Sequence, residues 1–551
     1  MNTCTVHMNG KVLEVEPGTT IQEILGRKLI RKGNIIAAKV NNTLVDLHTS
    51  LNGPADVQLV TSKSNDGQKV LHRSATHVLQ AAAMELNPPL RLKIGQTILG
   101  GFFYELEKQK DDTRDLHQIA KLLNRKISDI VNADKPFHHR QIDVETGASI
   151  LTDPFGSKAE LLNSWSTPTV LITELGSFID INHGPYAPST SFVWGAKVFP
   201  YEPGLILMLP DAIEPTSPKD GRRIWSCYRE TRSWNRKVGV ETVAQLNRAI
   251  LTDRIKNVIR VSEAHHEKKI VEIANAISNR RKSVRIICVA GPSSAGKTTF
   301  VQRLSVQLEV NGIQPVIVGL DDYYRDRTEC PRDDNGELDF EALEALEVEL
   351  IQQHFKDILK GKTVMVPKFN FILGQRTPPH TWRPVKLEDN QVLIIEGIHG
   401  INPRLTETLP RESIFKIFIN ALTQLVIDEH NRIYTSDTRL LRRIVRDRRY
   451  RGTDAGDTIA RWPSVQSGEA KHIFPYQEDP EVMFNSSLIY EVAVLKTFAW
   501  RYLLEVPHGH PSRSEAYRLL RFLQIFVPVF PDDVPANSVI REFIGGSGFS
   551  Y

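Results

Sequence analysis

One segment of the 551-residue sequence has the residue types and the spacing of a phosphate-binding loop. Residues 291–298, GPSSAGKT, match the pattern GxxxxGK[ST]. Glycines at these positions let backbone N–H groups surround a phosphate, Lys297 would contact the β- and γ-phosphates, and the Thr298 hydroxyl would bind Mg²⁺. The spacing therefore predicts an ATP site, whose binding residues are Gly291, Pro292, Ser293, Ser294, Ala295, Gly296, Lys297, Thr298 and Thr299.

Two acidic residues follow apolar runs further along the chain. The run Pro315–Leu320 ends at Asp321, and a carboxylate at the C-terminal end of a strand beside the loop is well placed to accept the proton of an acceptor hydroxyl. The run Val392–Ile395 ends at Glu396, which would hold Mg²⁺ through water. A carboxylate that only caps its loop is the alternative at both positions.

A third segment is rich in arginine, with seven arginines in the thirteen positions 439–451. Arg439, Arg442, Arg443 and Arg446 have the i, i+3, i+4, i+7 spacing of one helix face. A face made of arginine alone is typical of bidentate phosphate binding, which indicates a lid over the transferred phosphoryl group. A nucleic-acid-binding or solvated helix is the alternative.

These side chains are far apart in the sequence, and a parallel sheet would bring them to one edge. The runs VRIICVA, PVIVGL, VLIIEGI and IFKIFIN are short, apolar and separated by helical segments, which predicts a parallel sheet with crossover helices. The loop follows the first run and precedes an amphipathic helix, whose positive end would point to the phosphate. We expect a P-loop kinase-type domain over residues 283–500, followed by a helical extension and tail over residues 501–551.

The motifs GPSSAGKTT, LDDYYR, LDFEAL, VLIIEGI and DTRLLRRIVRD occur in an order that resembles the uridine kinase and phosphoribulokinase family over roughly residues 284–495. The resemblance implies a catalytic base at Asp321 and a ribose-binding carboxylate at Asp339. The catalytic residues that it implies are Asp321, Lys297, Arg443 and Arg446, and the metal ligands are Thr298 and Glu396. The substrate-binding residues are Asp339, Tyr324, Phe369, Arg376 and Arg451.

The sequence departs from the family where uridine kinases bind the base. A stretch resembling YDFxxHxR has Phe369 at the tyrosine position and Gly374 at the histidine position. Both changes remove hydrogen-bonding groups from the pyrimidine pocket, and a site that recognises a base by hydrogen bonds tolerates such losses poorly. The preferred base is therefore open.

The first half of the chain has a different organisation. Residues 1–61 contain two alternating runs about an Asn-Gly turn, a short helix with Thr19 or Thr20 as N-cap, and further strands, which predicts a ubiquitin-like α+β roll. Residues 62–225 begin with a helical pattern over Val70–Glu85 and end in a proline-rich stretch, Pro200 to Pro218, and residues 226–282 have the spacing of a helical connector. The predicted fold is multidomain, with α/β and α+β units.

The segment PGTTIQEIL resembles a TGS domain, and HRSATHVLQAA, GGFFYELE and FIDINHGPYAPST resemble the second, editing-type domain of threonyl-tRNA synthetase. Editing in that family uses HSxxH with CxGPH. Here only His77 remains, because Arg73, Asn182 and Tyr186 occupy the other three positions. This departure argues against zinc binding and aminoacyl-tRNA hydrolysis and favours a scaffold or regulatory α+β module. RNA as a partner of residues 1–225 rests on analogy alone.

Composition narrows the class of protein further. Hydrophobic residues make up 41% and charged residues 24%, which fits a globular chain, and a net charge of +4 is too balanced for a nucleic-acid coat. The four cysteines are far apart, without the spacing of a disulfide framework. Since neither a signal peptide nor a membrane span is recognisable, we expect a cytoplasmic protein without a membrane partner.

Together these patterns predict a nucleoside kinase that uses ATP and Mg²⁺ to phosphorylate the 5′-hydroxyl of a ribonucleoside, uridine or cytidine by resemblance. Two alternatives stay open: an RNA-associated regulator that uses ATP as a switch, and a kinase of another hydroxyl acceptor such as a sugar phosphate. The second alternative needs an additional anion site among Arg376, Arg383 and the lid. Family kinases often form homo-oligomers, and the sequence leaves open whether the C-terminal tail docks on the kinase part.

Overall fold

The computed structural model describes residues 3–98, 100–109, 111–151, 156–210, 221–332, 336, 338–370 and 373–550. The proline-rich stretch that ends the second predicted unit, residues 200–218, lies partly outside these ranges.

The N-terminal unit is a five-stranded sheet in the order β2-β1-β7-β4-β5 with one helix packed on it. The predicted hairpin is confirmed, because β1 and β2 pair antiparallel about Asn9 and Gly10, both with positive φ. Thr20 is the N-cap of the helix and forms a capping box with Glu23. The elements are β1 Cys4–Met8, β2 Lys11–Val15, β3 Thr19–Thr20, α1 Ile21–Gly33, β4 Ile35–Val40, β5 Thr43–Val45, β6 Ser50–Leu51 and β7 Ala55–Thr61.

The second unit places a long buried helix, α2, against two antiparallel sheets, β13-β14-β9-β8 and β10-β11-β12. This helix begins at Asn65 rather than at the predicted Val70, because the Ser64 hydroxyl caps its first turn by accepting from the Gly67 N–H. The elements are α2 Asn65–Met84, β8 Arg91–Ile98, β9 Gly101–Glu107, α3 Leu116–Asn132, β10 His138–Asp143, α4 Val144–Ile150, α5 Ser157–Leu162, β11 Thr169–Leu175, β12 Phe178–Ile181, β13 Lys197–Tyr201 and β14 Gly204–Met208.

Three helices follow, α6 Arg222–Val238, α7 Val243–Leu251 and α8 Ile255–Ser278, so the helical prediction for this segment is confirmed. These helices connect the second and third units in sequence, but they are also packed against the third unit. Ile270, Ala274 and Ile277 of α8 are buried in the same apolar core as the first strand and first helix of the next unit. Helix α8 therefore packs in the core of the third unit.

The third unit has the predicted parallel sheet, in the order β16-β21-β15-β22-β23. Its strands are β15 Ile286–Ala290, β16 Gln314–Gly319, β17 Val364–Val366, β18 Phe369–Asn370, β19 Gln375–Arg376, β20 Arg383–Val385, β21 Gln391–Glu396, β22 Ile414–Asn420 and β23 Val482–Asn485. Its helices are α9 Lys297–Val310, α10 Val348–Leu359, α11 Pro403–Thr406, α12 Thr435–Tyr450, α13 Ala455–His472, α14 Glu491–Leu504, α15 Arg513–Gln524 and α16 Arg541–Ile544.

One apolar core joins the two halves of the molecule. It contains Leu161 and Ile172 of the second unit, Val258 of α8, and Leu440 and Leu495 of the C-terminal helices. Within the described parts of the chain, none of the helices combines the length and the apolar content that crossing a membrane requires.

Candidate active site

The phosphate-binding loop joins β15 to α9, as the sequence predicts, and its glycines are sterically required. A Cβ at Gly291 would lie 2.1 Å from the Ile419 carbonyl oxygen. Gly296 has φ +83°, and a Cβ there would lie 2.4 Å from Cγ1 of Val539. The loop therefore presents its backbone N–H groups at the start of α9, where an anion is also favoured by the helix dipole.

The two predicted metal ligands are in direct contact. The Thr298 hydroxyl donates a hydrogen bond to Glu396 Oε1 at 3.0 Å, and the Lys297 ammonium donates to the Pro292 carbonyl at 3.3 Å. Hydroxyl and carboxylate oxygens are the ligands that Mg²⁺ prefers. The donor set at Thr298 and Glu396 therefore fits this ion, and the loop beside it fits the phosphates of ATP.

Asp321 lies at the predicted edge of the sheet. Strand β16 ends at Gly319, which pairs with Glu396 of β21, and Asp321 follows in a short 3₁₀ turn. Asp321 is exposed to the cleft. Desolvation by the surrounding protein raises its pKa, whereas the charges of Lys297 and Arg451 act to lower it. The carboxylate thus lies within electrostatic range of the loop lysine.

Glu341, two positions after Asp339 in the motif LDFEAL, is a further acid of the cleft that no spacing rule identifies. Burial, aided by the nearby charge of Glu469, raises the pKa of Glu341 to about 7, while Arg443 and Lys297 act to lower it. Burial likewise raises the pKa of Glu396 to about 7 against the influence of Lys297. Perturbed acids of this kind are typical of functional clefts.

The proposed substrate residues lie around the turn after β16. Tyr324 donates to the Phe340 carbonyl at 3.1 Å, and its ring centre is 5.7 Å from that of Phe369. Asp339 Oδ2 is 3.7 Å from His472 Nε2, a histidine that sequence reasoning missed because it comes from the end of α13. Arg376 is engaged in an ion pair, with Nη2 2.9 Å from Glu347 Oε1.

The arginine-rich helix α12 forms as predicted, but its arginines divide into two groups. Arg439 and Arg442 are buried in ion pairs, Arg439 with Glu469 at 2.6 Å and Arg442 Nε with Glu491 at 2.8 Å. Buried pairs of this kind position the helix and leave little capacity for a ligand. The arginines of the second group are less buried.

The second group consists of the three arginines predicted to contact the phosphoryl group or substrate. Arg443 donates to the Ser293 hydroxyl of the loop at 2.9 Å. Arg446 and Arg451 share the Asp447 carboxylate with it, at 2.8 and 3.7 Å. One carboxylate therefore faces three guanidinium groups, of which Arg443 contacts the loop directly.

The C-terminal segment docks on the phosphate-binding loop, which settles what the sequence left open. The Glu542 carboxylate accepts hydrogen bonds from the Thr299 N–H at 3.1 Å and from the Thr299 hydroxyl at 2.8 Å. Val539 and Phe543 are fully buried beside it, and the Arg442 guanidinium lies 5.1 Å from the Phe543 ring centre. No local pattern in the sequence predicts this contact.

In the N-terminal half, the residues of the synthetase-like constellation contact one another, the backbone and Thr173. Burial lowers the pKa of His77 to about 3, and the Tyr186 hydroxyl lies 3.4 Å from its Nδ1. Arg73 donates to the Pro185 carbonyl at 2.7 Å, and the Asn182 amide donates to the Thr173 hydroxyl at 2.9 Å. The arrangement offers no metal-ligand set at these positions.

Among the described residues, one group of three could surround a metal ion: Asp180, Asp428 and His430, whose ligand atoms lie within 4.8 Å of one another. An internal cation already sits beside it. The Lys158 ammonium is 2.9 Å from Asp180 and 2.7 Å from His430 Nδ1. This cluster is therefore a contact between the two halves in which the chain supplies its own cation.

A parallel sheet, a phosphate-binding loop and an acid at the end of the neighbouring strand define a P-loop kinase domain. Residues 286–492 match the model of the Phosphoribulokinase / Uridine kinase family. A solved structure that resembles it is phosphoribulokinase from Rhodobacter spheroides, with 19% identity and a TM-score of 0.26 over 37% of this chain and 70% of that one.

The N-terminal portion is similar to threonine–tRNA ligases. The ligase of Rubrobacter xylanophilus is 31% identical over 195 residues, which is 34% of this chain and 29% of the ligase. That of Desulfatibacillum aliphaticivorans is 29% identical over 193 residues, again 34% of this chain and 29% of the ligase. The chain thus spans less than a third of the length of these relatives.

Proposed function

We propose that the protein is an ATP-dependent nucleoside kinase that transfers the γ-phosphoryl group to the 5′-hydroxyl of a ribonucleoside. The observation that carries the proposal is the meeting of Lys297, Asp321 and Glu396 in one cleft, with each acid within electrostatic range of the lysine. A switch protein needs only the loop and the metal-side acid, whereas an acid beyond the neighbouring strand suits deprotonation of an acceptor.

In the proposed reaction, Asp321 accepts the proton of the hydroxyl, the oxygen bonds to the γ-phosphorus, and the bond to ADP breaks as ADP leaves. Lys297 and Arg443 hold the phosphate oxygens and stabilise their charge. When bound at Thr298 and Glu396, Mg²⁺ supplies further positive charge to those oxygens. Since the transition state is loose, positioning and electrostatics provide most of the rate enhancement.

The identity of the preferred nucleobase stays open for a physical reason. Phe369 has no hydroxyl, and Gly374 has φ +68° with the Arg327 side chain against it, where a Cβ would lie 2.3 Å from Arg327 Cδ. A histidine at position 374 would displace Arg327. These features support a pocket whose base contacts differ from those of the pyrimidine-specific pattern.

A sugar-phosphate acceptor is less well supported. It needs free cations near the acceptor, but Arg376 is paired with Glu347 and the Arg383 guanidinium donates to the Ile317 carbonyl. Neither guanidinium is therefore fully available to a second phosphate.

The test is ATP-dependent phosphorylation of uridine, cytidine, inosine, guanosine, adenosine, their deoxy forms and a pentose phosphate, with the product detected directly. Lys297→Ala is the blank. We expect a monophosphate from at least one nucleoside in the wild-type protein and none in the blank. A phosphorylated sugar phosphate alone, or ATP loss without a phosphorylated product, would overturn the proposal, and the second result would make RNA the next addition.

A further inference from the structure

A cavity of about 470 Å³ lies between the two halves of the molecule, far along the chain from the phosphate-binding loop. One wall is α2 with the loop 182–186, and the other is the segment Ile427–Asp437 that leads into α12, with α15 at the mouth. We call it the interdomain pocket. Its volume is in the range of small-molecule sites, and neither half forms it alone.

Part of the charge around the interdomain pocket is balanced internally. Glu515 pairs with Lys69 at 3.2 Å and with Arg518 at 2.7 Å, and Arg518 also pairs with Asp437 at 2.7 Å. These two cations and two anions cancel. At the inner end, Asp180 is likewise balanced by the Lys158 ammonium.

Three lining arginines remain without a counterion. No carboxylate of the described residues lies within ion-pair distance of Arg73, Arg432 or Arg521, although all three border the cavity. Arg521 is exposed at the mouth, whereas Arg73 and Arg432 belong to the walls. The lining therefore has an excess of positive charge facing one enclosed space.

Two aromatic rings hold the Arg432 guanidinium in place beside the cavity. It lies over the rings of Phe102 and Tyr434, 4.9 and 4.7 Å from their centres. Its Nε and Nη1 are buried, and neither has a hydrogen-bond partner within the described chain. A buried donor of this kind costs free energy unless a partner enters from outside.

Arg73 makes a complementary contribution. Nη1 donates to the Pro185 carbonyl, and the guanidinium lies against Gly184, where a Cβ would be 3.0 Å from it. Burial lowers the pKa values of both Arg73 and Arg432, and the charge of Asp437 acts to raise that of Arg432. Both arginines also lie within electrostatic range of Tyr434.

We propose that the interdomain pocket binds a small organic phosphate with a planar apolar group. A phosphate monoester carries about −1.5 to −2 charges at neutral pH, which matches two unpaired guanidinium groups better than one carboxylate does. One guanidinium group can donate two parallel hydrogen bonds to two oxygens of a phosphate. The aromatic side chains of Phe102, Tyr434 and Tyr517 line the remainder.

The position of α12 gives such a ligand a route to the kinase site. Asp437, in its first turn, is paired with Arg518 at the interdomain pocket, and Arg443 donates to Ser293 of the phosphate-binding loop. Arg443 lies six positions after Asp437, a rise of about 9 Å along the helix. A ligand that shifts the first turn of α12 would therefore also move Arg443 and its contact with Ser293, because both lie on one rigid helix.

The experiment measures phenyl phosphate binding to the full chain by calorimetry, with benzoate as the carboxylate arm. We expect one site in the wild-type protein and in Lys297→Ala, which locates it outside the phosphate-binding loop. Arg432→Gln and Arg73→Gln should each weaken binding at least ~10-fold. Arg260→Gln, on the exposed face of α8, should bind normally.

Arg521→Glu keeps the test decisive if the buried variants fail to fold, because this exposed residue can change charge without loss of packing, and we expect weaker binding. Absence of binding to the wild-type protein would overturn the proposal. So would unchanged binding in the arginine variants, loss of binding in Lys297→Ala, or benzoate binding as tight as phenyl phosphate binding.

Discussion

Two acids around Lys297, Glu341 and Glu396, respond to pH differently from ordinary glutamates. Burial raises the pKa values of Glu341 and Glu396 to about 7. Between pH 4.5 and 7 the folded state keeps protons that an unfolded glutamate has lost, so at these groups stability falls as pH rises through that window. At pH 8 both are charged, which is the form that a metal ion or a phosphate-bound cation prefers.

Glu396→Gln should therefore flatten the pH dependence of stability. Without nucleotide, the wild-type protein should lose more thermal stability between pH 5.5 and 8 than the variant, because the glutamine carries no charge to bury. The measurement is the unfolding temperature across that range. Glu309→Gln, exposed on α9, should follow the wild-type curve. If Glu396→Gln followed it too, the raised pKa would be wrong.

Asp321→Asn should leave ATP binding nearly intact and reduce phosphoryl transfer at least ~100-fold, because the amide cannot accept the hydroxyl proton. Asp322→Asn is the matched control, since that carboxylate accepts a hydrogen bond from the Phe369 backbone. Single-turnover kinetics with equilibrium ATP binding separate the two effects. Near-wild-type turnover in Asp321→Asn would exclude it as the base.

Among the elements, the C-terminal segment is the one that the sequence could not position. Glu542 and Thr299 are separated by 243 positions, and short helical segments such as Arg541–Ile544 carry no pattern that names their partner. Four of the five strands of the parallel sheet were predictable because each is a separate apolar run, whereas β23 was not predicted. The loop was predictable because glycine spacing and phosphate chemistry are local.

The same distinction applies within α12. Its helical spacing was readable, but the division of its arginines depends on Glu469 and Glu491, which come from other helices. Likewise, the placement of Arg432 depends on Phe102 of β9, far earlier in the chain. Contacts that tertiary structure brings together are the part of the site that single-sequence patterns miss.

Glu542→Gln should tighten ATP binding by about 3- to 10-fold. The carboxylate takes the Thr299 N–H, a donor at the start of α9 that a nucleotide phosphate would otherwise accept, and its charge repels phosphate. Equilibrium binding of a non-hydrolysable ATP analogue measures the effect. Asp533→Asn, exposed in the same segment, should bind like the wild-type protein. Weaker binding in Glu542→Gln would show that the contact supports the nucleotide site.

At the scale of the whole molecule, the two halves share one apolar core and one polar seam. Leu161 and Ile172 pack in the same cluster as Leu440, and the Gln96 side chain donates to the Thr423 carbonyl across the boundary. Chains with separate domains often unfold in steps. A shared core makes the loss of one half expose the apolar surface of the other.

We therefore expect a single thermal transition for the full chain, and Leu440→Ala should lower the stability of both halves by about 2–5 kcal/mol. Calorimetry gives the number of transitions, and limited proteolysis followed by peptide mapping shows which half opens. Ala substitution at exposed Leu373 should have little effect. Two resolved transitions, with only the second shifted by Leu440→Ala, would contradict a common core.

The Lys158 ammonium between Asp180 and His430 has a consequence for how this seam responds to its surroundings. An ion held by side chains can dissociate, be exchanged or be removed by a chelator, and its affinity depends on supply. A cation that is covalently part of the chain can do none of these. The contact between the halves should therefore be as firm in excess EDTA as without it, and independent of whichever divalent metals the solution contains.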